Sequence, residues 1–152
     1  MERQAVKVKR TYYKRQVFRS RLEARWALFF DHIRVAWVYE PQGFVFADGE
    51  PYLPDFHLVF ANGRSMYAEV KPAGADEADW RKARKLAREM SKRVLLCRGA
   101  PTLKSFVVCS QSGDEDARFC IGGLVRPDRF EPVDNEMYWL LGAVVAAEKA
   151  RF

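Results

Sequence analysis

YLPDFHLVFANGRSMYAEVK, residues 52–71, is the stretch of sequence that decides the fold. At its centre lies Asn62-Gly63, a dipeptide typical of β-hairpins because both central residues of a type I′ turn need a positive φ. Polar and apolar residues alternate on both sides of the turn, as in strands that bury one face. We therefore predict two antiparallel strands, residues 52–60 and 65–71, joined at Asn62-Gly63.

Charged side chains of this hairpin share one face at its open end. Side chains two residues apart lie on the same face of a strand, so Asp55 lies with His57, and Glu69 with Lys71. Asp55 comes seven residues before Asn62, and Glu69 comes six residues after Gly63. This spacing allows the two carboxylates to stand side by side on adjacent strands.

The pair Asp55 and Glu69, together with Lys71, is suited to a metal site. A divalent cation relieves the repulsion between two partly buried carboxylates, and hard oxygen ligands suit Mg²⁺ or Mn²⁺. A nearby lysine can orient or deprotonate the attacking water. The spacing alone is not specific, because Glu-X-Lys on a strand is usually a solvated salt bridge and Pro-Asp is often only a turn. By itself, this spacing favours a salt bridge and a turn over a metal site.

A helix and two short strands are predicted ahead of the hairpin. Ser20 is a favourable N-cap, and Glu23 follows at the spacing of a capping box. Apolar residues then recur at helical spacing and predict a core-facing stripe of Leu22, Trp26, Phe29 and Ile33. Residues 36–40 and 44–46 are predicted strands, and Asp48-Gly49 is a second turn.

After the hairpin, a second helix is predicted over residues 76–92. Its acidic residues cluster in the first turn and its basic residues follow, as the helix dipole favours. The remaining predicted elements are strands at residues 94–98 and 105–110, a candidate strand at residues 118–124, and a last helix that is capped by Asp134 or Asn135 and ends near Lys149.

Four of these elements follow one another in the sequence in an order that is more specific for a protein family than any one of them alone. They are the helix with Phe18-Arg19-Ser20-Arg21-Leu22-Glu23-Ala24-Arg25-Trp26-Ala27, the segment Tyr39-Glu40-Pro41, the strand with Tyr52-Leu53-Pro54-Asp55-Phe56, and the strand with Glu69-Val70-Lys71-Pro72, followed by a basic helix. Over residues 17–98 the chain resembles the PD-(D/E)XK nuclease superfamily, and within it phage-encoded nucleases and TnsA-type transposon endonuclease domains. The resemblance implies an α/β (α+β) fold with a restriction-endonuclease-like core, in which helices flank a central mixed β-sheet with an antiparallel meander.

The resemblance also implies a role for each residue at the open end of the hairpin. Asp55 and Glu69 match the two metal-binding carboxylates, and the backbone carbonyl of Val70 would be a third metal ligand. Lys71 matches the catalytic lysine. Glu23 matches the helix glutamate that completes or supports the metal site. The implied reaction is hydrolysis of a DNA phosphodiester by water that Mg²⁺ or Mn²⁺ activates.

Basic residues are concentrated in two segments of a chain whose net charge is +6. Residues 1–25 hold nine Lys and Arg against two acids, and residues 81–104 hold nine against one, whereas the remainder is acidic. Charge alone slightly favours solvated surfaces, but beside the proposed site these segments indicate a polyanion partner. The predicted DNA contacts are Arg19, Arg21, Arg25, Arg81, Arg84, Lys85 and Arg88.

Two further residues are candidates for lining the site. Glu40, at the end of its strand, is explained about equally well by a salt bridge. His57 shares the face of Asp55, although a lone histidine is more often a hydrogen-bonded structural residue.

The chain has the length of a single domain. We divide this nuclease domain, residues 1–152, into a basic N-terminal arm (1–16), a nuclease core (17–110) and a C-terminal strand and helix extension (111–152). The most apolar run, residues 137–147, is shorter than the roughly 20 residues that cross a bilayer, and the basic N-terminus lacks the apolar segment of a signal peptide. We expect a protein that acts on DNA in the cytoplasm of a bacterial host, alone, as a homodimer or in a larger recombination or transposition complex.

The favoured function is a phage or mobile-element DNA nuclease, an endonuclease rather than an exonuclease, acting in recombination, repair, transposition or the interplay with host defence. Two alternatives stay open: a non-catalytic nucleic-acid-binding module, and a nuclease-inhibiting interaction protein built on the same fold. The intact Asp55 and Glu69 favour the nuclease, because carboxylates near phosphate oppose binding unless a metal lies between them.

Overall fold

The computed structural model of the chain describes residues 10–131 and 135–152. Its helices and strands are, in chain order, β1 (Thr11–Tyr13), β2 (Gln16–Phe18), α1 (Arg21–His32), β3 (Ala36–Tyr39), β4 (Phe44–Val45), β5 (Pro51–Tyr52), β6 (Phe56–Val59), β7 (Ser65–Lys71), α2 (Arg81–Met90), β8 (Val94–Arg98), β9 (Phe106–Ser110), β10 (Gly113–Cys120), β11 (Gly123–Val125) and α3 (Glu136–Lys149).

Seven strands form one mixed sheet in the order β11-β10-β9-β8-β7-β6-β3. Neighbouring strands are antiparallel except β7 and β8, which run parallel. α2 connects these two strands, since parallel neighbours need a crossover connection. The predicted fold class is confirmed: helices flank a central mixed sheet that contains an antiparallel meander.

Helices cover both faces of this sheet. α1 and α3 pack on one face, where Leu95 and Cys97 of β8 are buried. α2 packs on the other face with the β4–β5 hairpin, and there Val94 and Leu96 are buried. Because β8 is buried on both faces, its sequence is apolar without alternation.

The central hairpin places its two carboxylates side by side, as the spacing allowed. Phe56 pairs with Ala68, so Asp55, one residue before β6, lies level with Glu69 of β7. The first strand is shorter than residues 52–60, because Tyr52 belongs to β5 and the chain bends before Asp55. The break follows from Pro54, which has no N–H to donate to a neighbouring strand.

The turn of this hairpin is not the predicted type I′ turn. Gly63 has a φ of 81°, but the φ of Asn62 is not positive. Hydrogen bonds from Phe60 N to Arg64 O (2.8 Å) and from Gly63 N to Phe60 O (2.9 Å) close a three-residue loop. Such loops combine a type I turn with one left-handed glycine, so only the glycine is needed. Gly49, with a φ of 87°, ends a loop of the same pattern.

Residues 11–18 form a hairpin and are not a free arm. Lys14 and Arg15, which join β1 to β2, both have a positive φ (46° and 61°). The hydroxyl of Tyr13 donates to Asp31 of α1 at 2.7 Å. The predicted arm, residues 1–16, therefore packs on α1 from Thr11 onward, and its residues 1–9 lie outside the described ranges.

α2 is shorter than the predicted helix at both ends. It begins at Arg81 and not at Asp76, because the Asp76 side chain accepts hydrogen bonds from the N–H groups of Ala78 (2.9 Å) and Asp79 (3.3 Å) and holds that segment in a turn. At the other end Ser91 takes a left-handed φ of 53°. The predicted acidic first turn is thus a separate turn ahead of the helix.

The C-terminal extension holds one strand more than predicted. β10 begins at Gly113, before residue 118, and turns back into β11. α3 starts at Glu136 and buries Leu140, Ala143 and Ala147. Asn135 precedes it without a side-chain cap, and Asp134 lies outside the described residues. Within the described ranges, no helix has the length and apolar character that a bilayer crossing demands.

Candidate active site

The four residues predicted for catalysis meet at one end of the sheet. Glu23, Asp55, Glu69 and Lys71 all line one open cleft of about 1480 Å³. Among the described residues, Thr11 and three carboxylates of this cleft are the buried polar or charged side chains: Glu23 is 8% exposed, Asp55 4% and Glu69 7%. Burying several carboxylates close together lowers the stability of a fold unless cations and hydrogen bonds compensate their charge. This arrangement therefore indicates a functional site.

Asp55 lies at the bend before β6, and both of its carboxylate oxygens have donors. Oδ2 accepts a hydrogen bond from the backbone N–H of Val70 at 2.7 Å, which ties Asp55 to β7 beside Glu69. Oδ1 accepts from the guanidinium of Arg19 at 2.9 Å. The backbone carbonyl of Asp55 accepts from Glu40 N at 2.8 Å, so the bend is fixed from both sides.

Glu69 is held by a tyrosine and a lysine. The hydroxyl of Tyr52 in β5 donates to Glu69 Oε2 at 2.5 Å, and Lys71 Nζ lies 3.4 Å from Oε1. Tyr67, two residues before Glu69, packs in the cluster on the α2 face. The alternation of β7 therefore places Glu69 and Lys71 on that face, as predicted.

Glu23 joins the cap of α1 to the cleft. Ser20 is the N-cap: its Oγ accepts from Glu23 N at 3.1 Å and donates to Glu23 Oε1 at 3.0 Å. The other carboxylate oxygen accepts a hydrogen bond from the hydroxyl of Tyr39. The predicted N-terminus of the helix is confirmed, and the Glu23 side chain contacts the N-cap residue and faces the cleft.

Burial raises the pKa of both central carboxyl groups. For Asp55 desolvation is the largest cause, the negative charge of Glu69 adds to it, and the hydrogen bond from Val70 N opposes it. For Glu69 desolvation again raises the pKa, while the hydroxyl of Tyr52 and the ammonium of Lys71 oppose it. With both groups ionised, two buried negative charges lie side by side next to Arg19 and Lys71, and a divalent cation between them would stabilise the ionised forms further.

The oxygen atoms at this end of the sheet fit Mg²⁺ or Mn²⁺. The N–H and C=O of a strand residue point the same way, and the N–H of Val70 points to Asp55. The Val70 carbonyl is therefore directed past the start of β6, towards the same space. Within the described ranges, no group of three or more His, Cys, Asp or Glu side chains is placed to hold a metal by itself. The donor set is thus two carboxylates and this carbonyl, all hard oxygens.

Of the three arginines predicted around Glu23, Arg19 is the one that lines the cleft. Its Nε lies 2.8 Å from Glu40 Oε1, so Glu40 forms the salt bridge that was its alternative interpretation. Arg21 is exposed and Arg25 partly buried on α1, and both lie outside the residues that line the cleft.

The α2 cations nearest the cleft are paired with the β4–β5 hairpin. Arg81 Nη2 lies 2.5 Å from Glu50 Oε1, and Lys85 Nζ lies 2.5 Å from Asp48 Oδ2. The guanidinium of Arg81 lowers the pKa of Glu50 to about 2. Arg81 and Lys82 line the cleft, whereas Lys85 does not. Lys82 Nζ also lies 3.6 Å from Glu50 Oε1, so a phosphate contact by any of these three cations would have to replace or share an ion pair.

The other two predicted α2 contacts, Arg84 and Arg88, lie away from the cleft. They line a separate depression of about 400 Å³ beside the β9–β10 turn, and Arg84 Nη1 lies 2.5 Å from Asp114 Oδ2. The cleft meets α2 at its N-terminal end, so residues one and two turns later fall beside β10. The single basic stripe expected from the helix spacing is thus divided between two surfaces.

His57 does not line the cleft. Its ring packs on Tyr67, its strand partner, with 4.9 Å between ring centroids. Burial lowers the pKa of His57, and the charge of Lys92 lowers it further. These contacts favour the structural interpretation of His57.

Four residues that serve the site were not predicted. Tyr39 and Tyr52 orient Glu23 and Glu69, and Arg10 and Lys82 line the cleft. The tyrosines lie within the sequence segments that carry the resemblance, which was an available signal. Strand alternation gave none for Tyr52, because β5 belongs to a different sheet from β7.

Comparisons with known proteins add little to this geometry. No protein-family model matches the sequence, and a search of curated proteins finds no match. Among solved structures, the fold is similar to part of a chain in the cryo-EM structure of the DrdV–DNA complex, with a TM-score of 0.37 and 14% sequence identity. The match covers 85% of this chain and 11% of that chain, so the protein spans about a tenth of its length.

Proposed function

We propose that this protein is a metal-dependent deoxyribonuclease, an endonuclease that hydrolyses phosphodiester bonds with Mg²⁺ or Mn²⁺. The observation that supports the proposal is the convergence of Asp55, Glu69 and Lys71, with Glu23 beside them, in one cleft that cations also line. Two neighbouring carboxylates and a lysine supply the metal ligands and the water-positioning group that metal-assisted phosphodiester hydrolysis uses, and shifted pKa values of buried carboxyl groups are typical of functional sites.

Each side chain has a role that its contacts support. Asp55, Glu69 and the Val70 carbonyl would hold the metal, which would lower the pKa of a bound water and stabilise charge on the phosphate. Lys71, beside Glu69, would orient that water as an ammonium, or would take its proton when its own amine is neutral. Tyr52 and the Val70 N–H fix the carboxylates, so that their oxygens keep one orientation.

The cleft has the size and charge for a polymer. Its volume of about 1480 Å³ exceeds the roughly 300–1,000 Å³ of small-molecule pockets. Arg10, Arg19, Arg81 and Lys82 are distributed along its lining, and cations placed in this way suit the regularly spaced phosphates of DNA.

The direct test is incubation of the purified protein with supercoiled, linear and single-stranded DNA in Mg²⁺, Mn²⁺ or EDTA. We expect nicking or linearisation of supercoiled DNA with either metal and none in EDTA. Asp55→Asn and Glu69→Gln should each lose cleavage by at least about a hundredfold and retain DNA binding, because each removes a metal ligand.

Asp116→Asn is the matched control, since it neutralises an exposed carboxylate on β10, three strands from β7. It should cleave like the unmodified protein. Cleavage that persists in EDTA, or in both site variants, would contradict the proposal.

A non-catalytic DNA-binding protein is the second candidate. The Arg19–Asp55 ion pair favours it, because this pair compensates one carboxylate without a metal. In that case DNA would bind equally well in EDTA and in Mg²⁺, and no condition would cut it.

DNA contact along the cleft predicts a specific salt dependence. Lys82→Gln should reduce the slope of log affinity against log salt by about one, since each phosphate contact contributes roughly one released counterion. Arg88→Gln is the control, because Arg88 lines the other depression and its loss should leave the slope unchanged. Fluorescence anisotropy in Ca²⁺ at several salt concentrations measures the slope for each variant. Equal slopes for Lys82→Gln and Arg88→Gln would mean that DNA does not bind along the cleft.

The biological setting belongs to the same proposal. A phage or mobile-element nuclease would act in the cytoplasm of a bacterial host during recombination, repair, transposition or conflict with host defence. Because the chain has a single candidate site within its described residues, cutting both strands at one place would require a second copy. A homodimer or a larger recombination or transposition complex would supply it.

A further inference from the structure

Arg19 occupies the centre of an ion-pair network at the cleft. Its Nη2 donates to Asp55 Oδ1 at 2.9 Å, and its Nε lies 2.8 Å from Glu40 Oε1 and 3.3 Å from the Tyr39 hydroxyl. The Arg19 side chain is nonetheless 60% exposed. A strong ionic contact to a buried carboxylate is thus made by a side chain that solvent and ligands can reach.

With this contact, each oxygen of the Asp55 carboxylate has a hydrogen-bond donor. Oδ2 is used by the backbone N–H of Val70, which belongs to the fixed β7 strand. Oδ1 is the oxygen that can change partner, and Arg19 holds it. A divalent cation at Asp55 would lie within a few ångströms of the guanidinium, and two cations so close repel each other strongly in a buried site. Metal and Arg19 therefore compete for Asp55.

DNA supplies the partner that can draw Arg19 away. A phosphate accepts paired hydrogen bonds from a guanidinium, in the geometry that a carboxylate offers. Arg19 lines the cleft together with Asp55 and Lys71, so a phosphate bound there would be within its reach. Because Glu40 also holds Arg19, the side chain can turn towards the cleft without losing its other carboxylate partner.

We propose that Arg19 couples DNA binding to metal binding: without DNA it holds Asp55 in place of a metal, and with DNA it moves to a phosphate and frees Asp55. The inference rests on the proposed function. Linkage requires the effect to be reciprocal, so DNA tightens metal binding by the factor by which metal tightens DNA binding. The coupling keeps the site low in metal until a substrate is present.

The test is a titration of the protein with Mn²⁺, followed by electron paramagnetic resonance, with and without a saturating short duplex. Phosphorothioate linkages in the duplex keep the backbone charge and resist cleavage. Arg19→Gln should bind Mn²⁺ about tenfold more tightly than the unmodified protein when DNA is absent, which is within the usual range of coupling between two sites. With DNA bound, the two proteins should have similar Mn²⁺ affinities.

We expect DNA to increase the Mn²⁺ affinity of both proteins to some extent, because phosphate oxygens would themselves contact the metal. The proposal is supported if the increase in Mn²⁺ affinity on adding DNA is about tenfold smaller in Arg19→Gln than in the unmodified protein. Arg64→Gln removes the same charge from an exposed position at the opposite end of the hairpin, and should behave like the unmodified protein.

Two results would overturn the coupling. One is an equal increase in Mn²⁺ affinity on adding DNA to the unmodified protein and to Arg19→Gln. The other is an Arg19→Gln protein that, without DNA, binds Mn²⁺ no more tightly than the unmodified protein. If Mn²⁺ binding needs Asp55 and Glu69 but DNA increases the Mn²⁺ affinity equally in the two proteins, only the coupling is overturned and the nuclease proposal still stands. Absence of any Mn²⁺ binding that depends on Asp55 would contradict both. Thermal unfolding of Arg19→Gln confirms that the variant is folded, as the exposed position of the side chain leads us to expect.

Discussion

Lys71→Met is expected to slow single-turnover DNA cleavage by about a thousandfold, the middle of the range for removing a general acid or base. Methionine keeps most of the length of the side chain and removes its charge. The Lys71 ammonium lies 3.4 Å from Glu69 and lines the cleft, where it could reach a water on the metal that we propose Glu69 to hold. Because Lys71 is not itself a proposed ligand, the affinities for Mn²⁺ and DNA should change by only a few fold.

The control for this prediction is Lys149→Met, at the end of α3, which should cleave normally. Single-turnover rates over a range of pH separate the chemical step from product release. A loss of less than about tenfold in Lys71→Met, with intact binding, would assign the attacking water to another group. A loss that follows Mn²⁺ affinity would mean that Lys71 acts by holding Glu69.

Strand geometry predicted which charged side chains share a face, but it left the register of the hairpin open. Strand alternation placed Glu69 and Lys71 on one face, and the similar distances of Asp55 and Glu69 from the Asn-Gly turn allowed these two to lie side by side, as they do. The register depends on the loop at the turn. A two-residue type I′ loop at Asn62-Gly63 would pair Ala61 with Arg64, and therefore Asp55 with Val70. The observed three-residue loop around Gly63 shifts the pairing by one residue and sets Asp55 level with Glu69.

The partners of the site residues could not be predicted in the same way, because they come from elements that are distant along the chain. Tyr52 reaches Glu69 from the separate β4–β5 sheet, and no local pattern encodes that approach. The basic stripe of α2 was predicted from helix spacing, but spacing does not show that Glu50 would neutralise Arg81. Charge counted along a sequence therefore overstates the charge available to a ligand.

The second large effect expected is on stability: without metal, and at a pH above the folded-state pKa of Asp55, Asp55→Asn should unfold less readily than the unmodified protein, by on the order of 1–3 kcal/mol. The pKa of Asp55 is raised in the folded protein, mainly by burial and then by Glu69. A folded-state pKa above the unfolded-state value means that the folded protein binds the proton more tightly. Stability from this group is therefore full below the unfolded-state pKa and is lost as pH rises through the folded-state pKa.

Asparagine removes the charge and keeps an oxygen that can accept the Val70 hydrogen bond, so the variant should lose this pH dependence. Urea unfolding in EDTA between about pH 5 and pH 9 measures it as a difference in the free energy of unfolding. Subtracting the unmodified protein from the variant cancels acidic groups with lowered pKa values, such as Glu50 and Asp114. Asp116→Asn, which neutralises an exposed carboxylate, should give a difference that does not change with pH.

Metal should reverse the order of the two proteins. Mg²⁺ that binds the folded protein alone stabilises it by about 2.7 kcal/mol at a concentration of 100 times its dissociation constant, and it binds best when Asp55 is ionised. The unmodified protein should therefore gain stability from Mg²⁺ increasingly as pH rises, whereas Asp55→Asn should gain little at any pH. An Asp55→Asn protein that is less stable than the unmodified one in EDTA at high pH would mean that Arg19 fully compensates the carboxylate, and the site would then have no need of a metal.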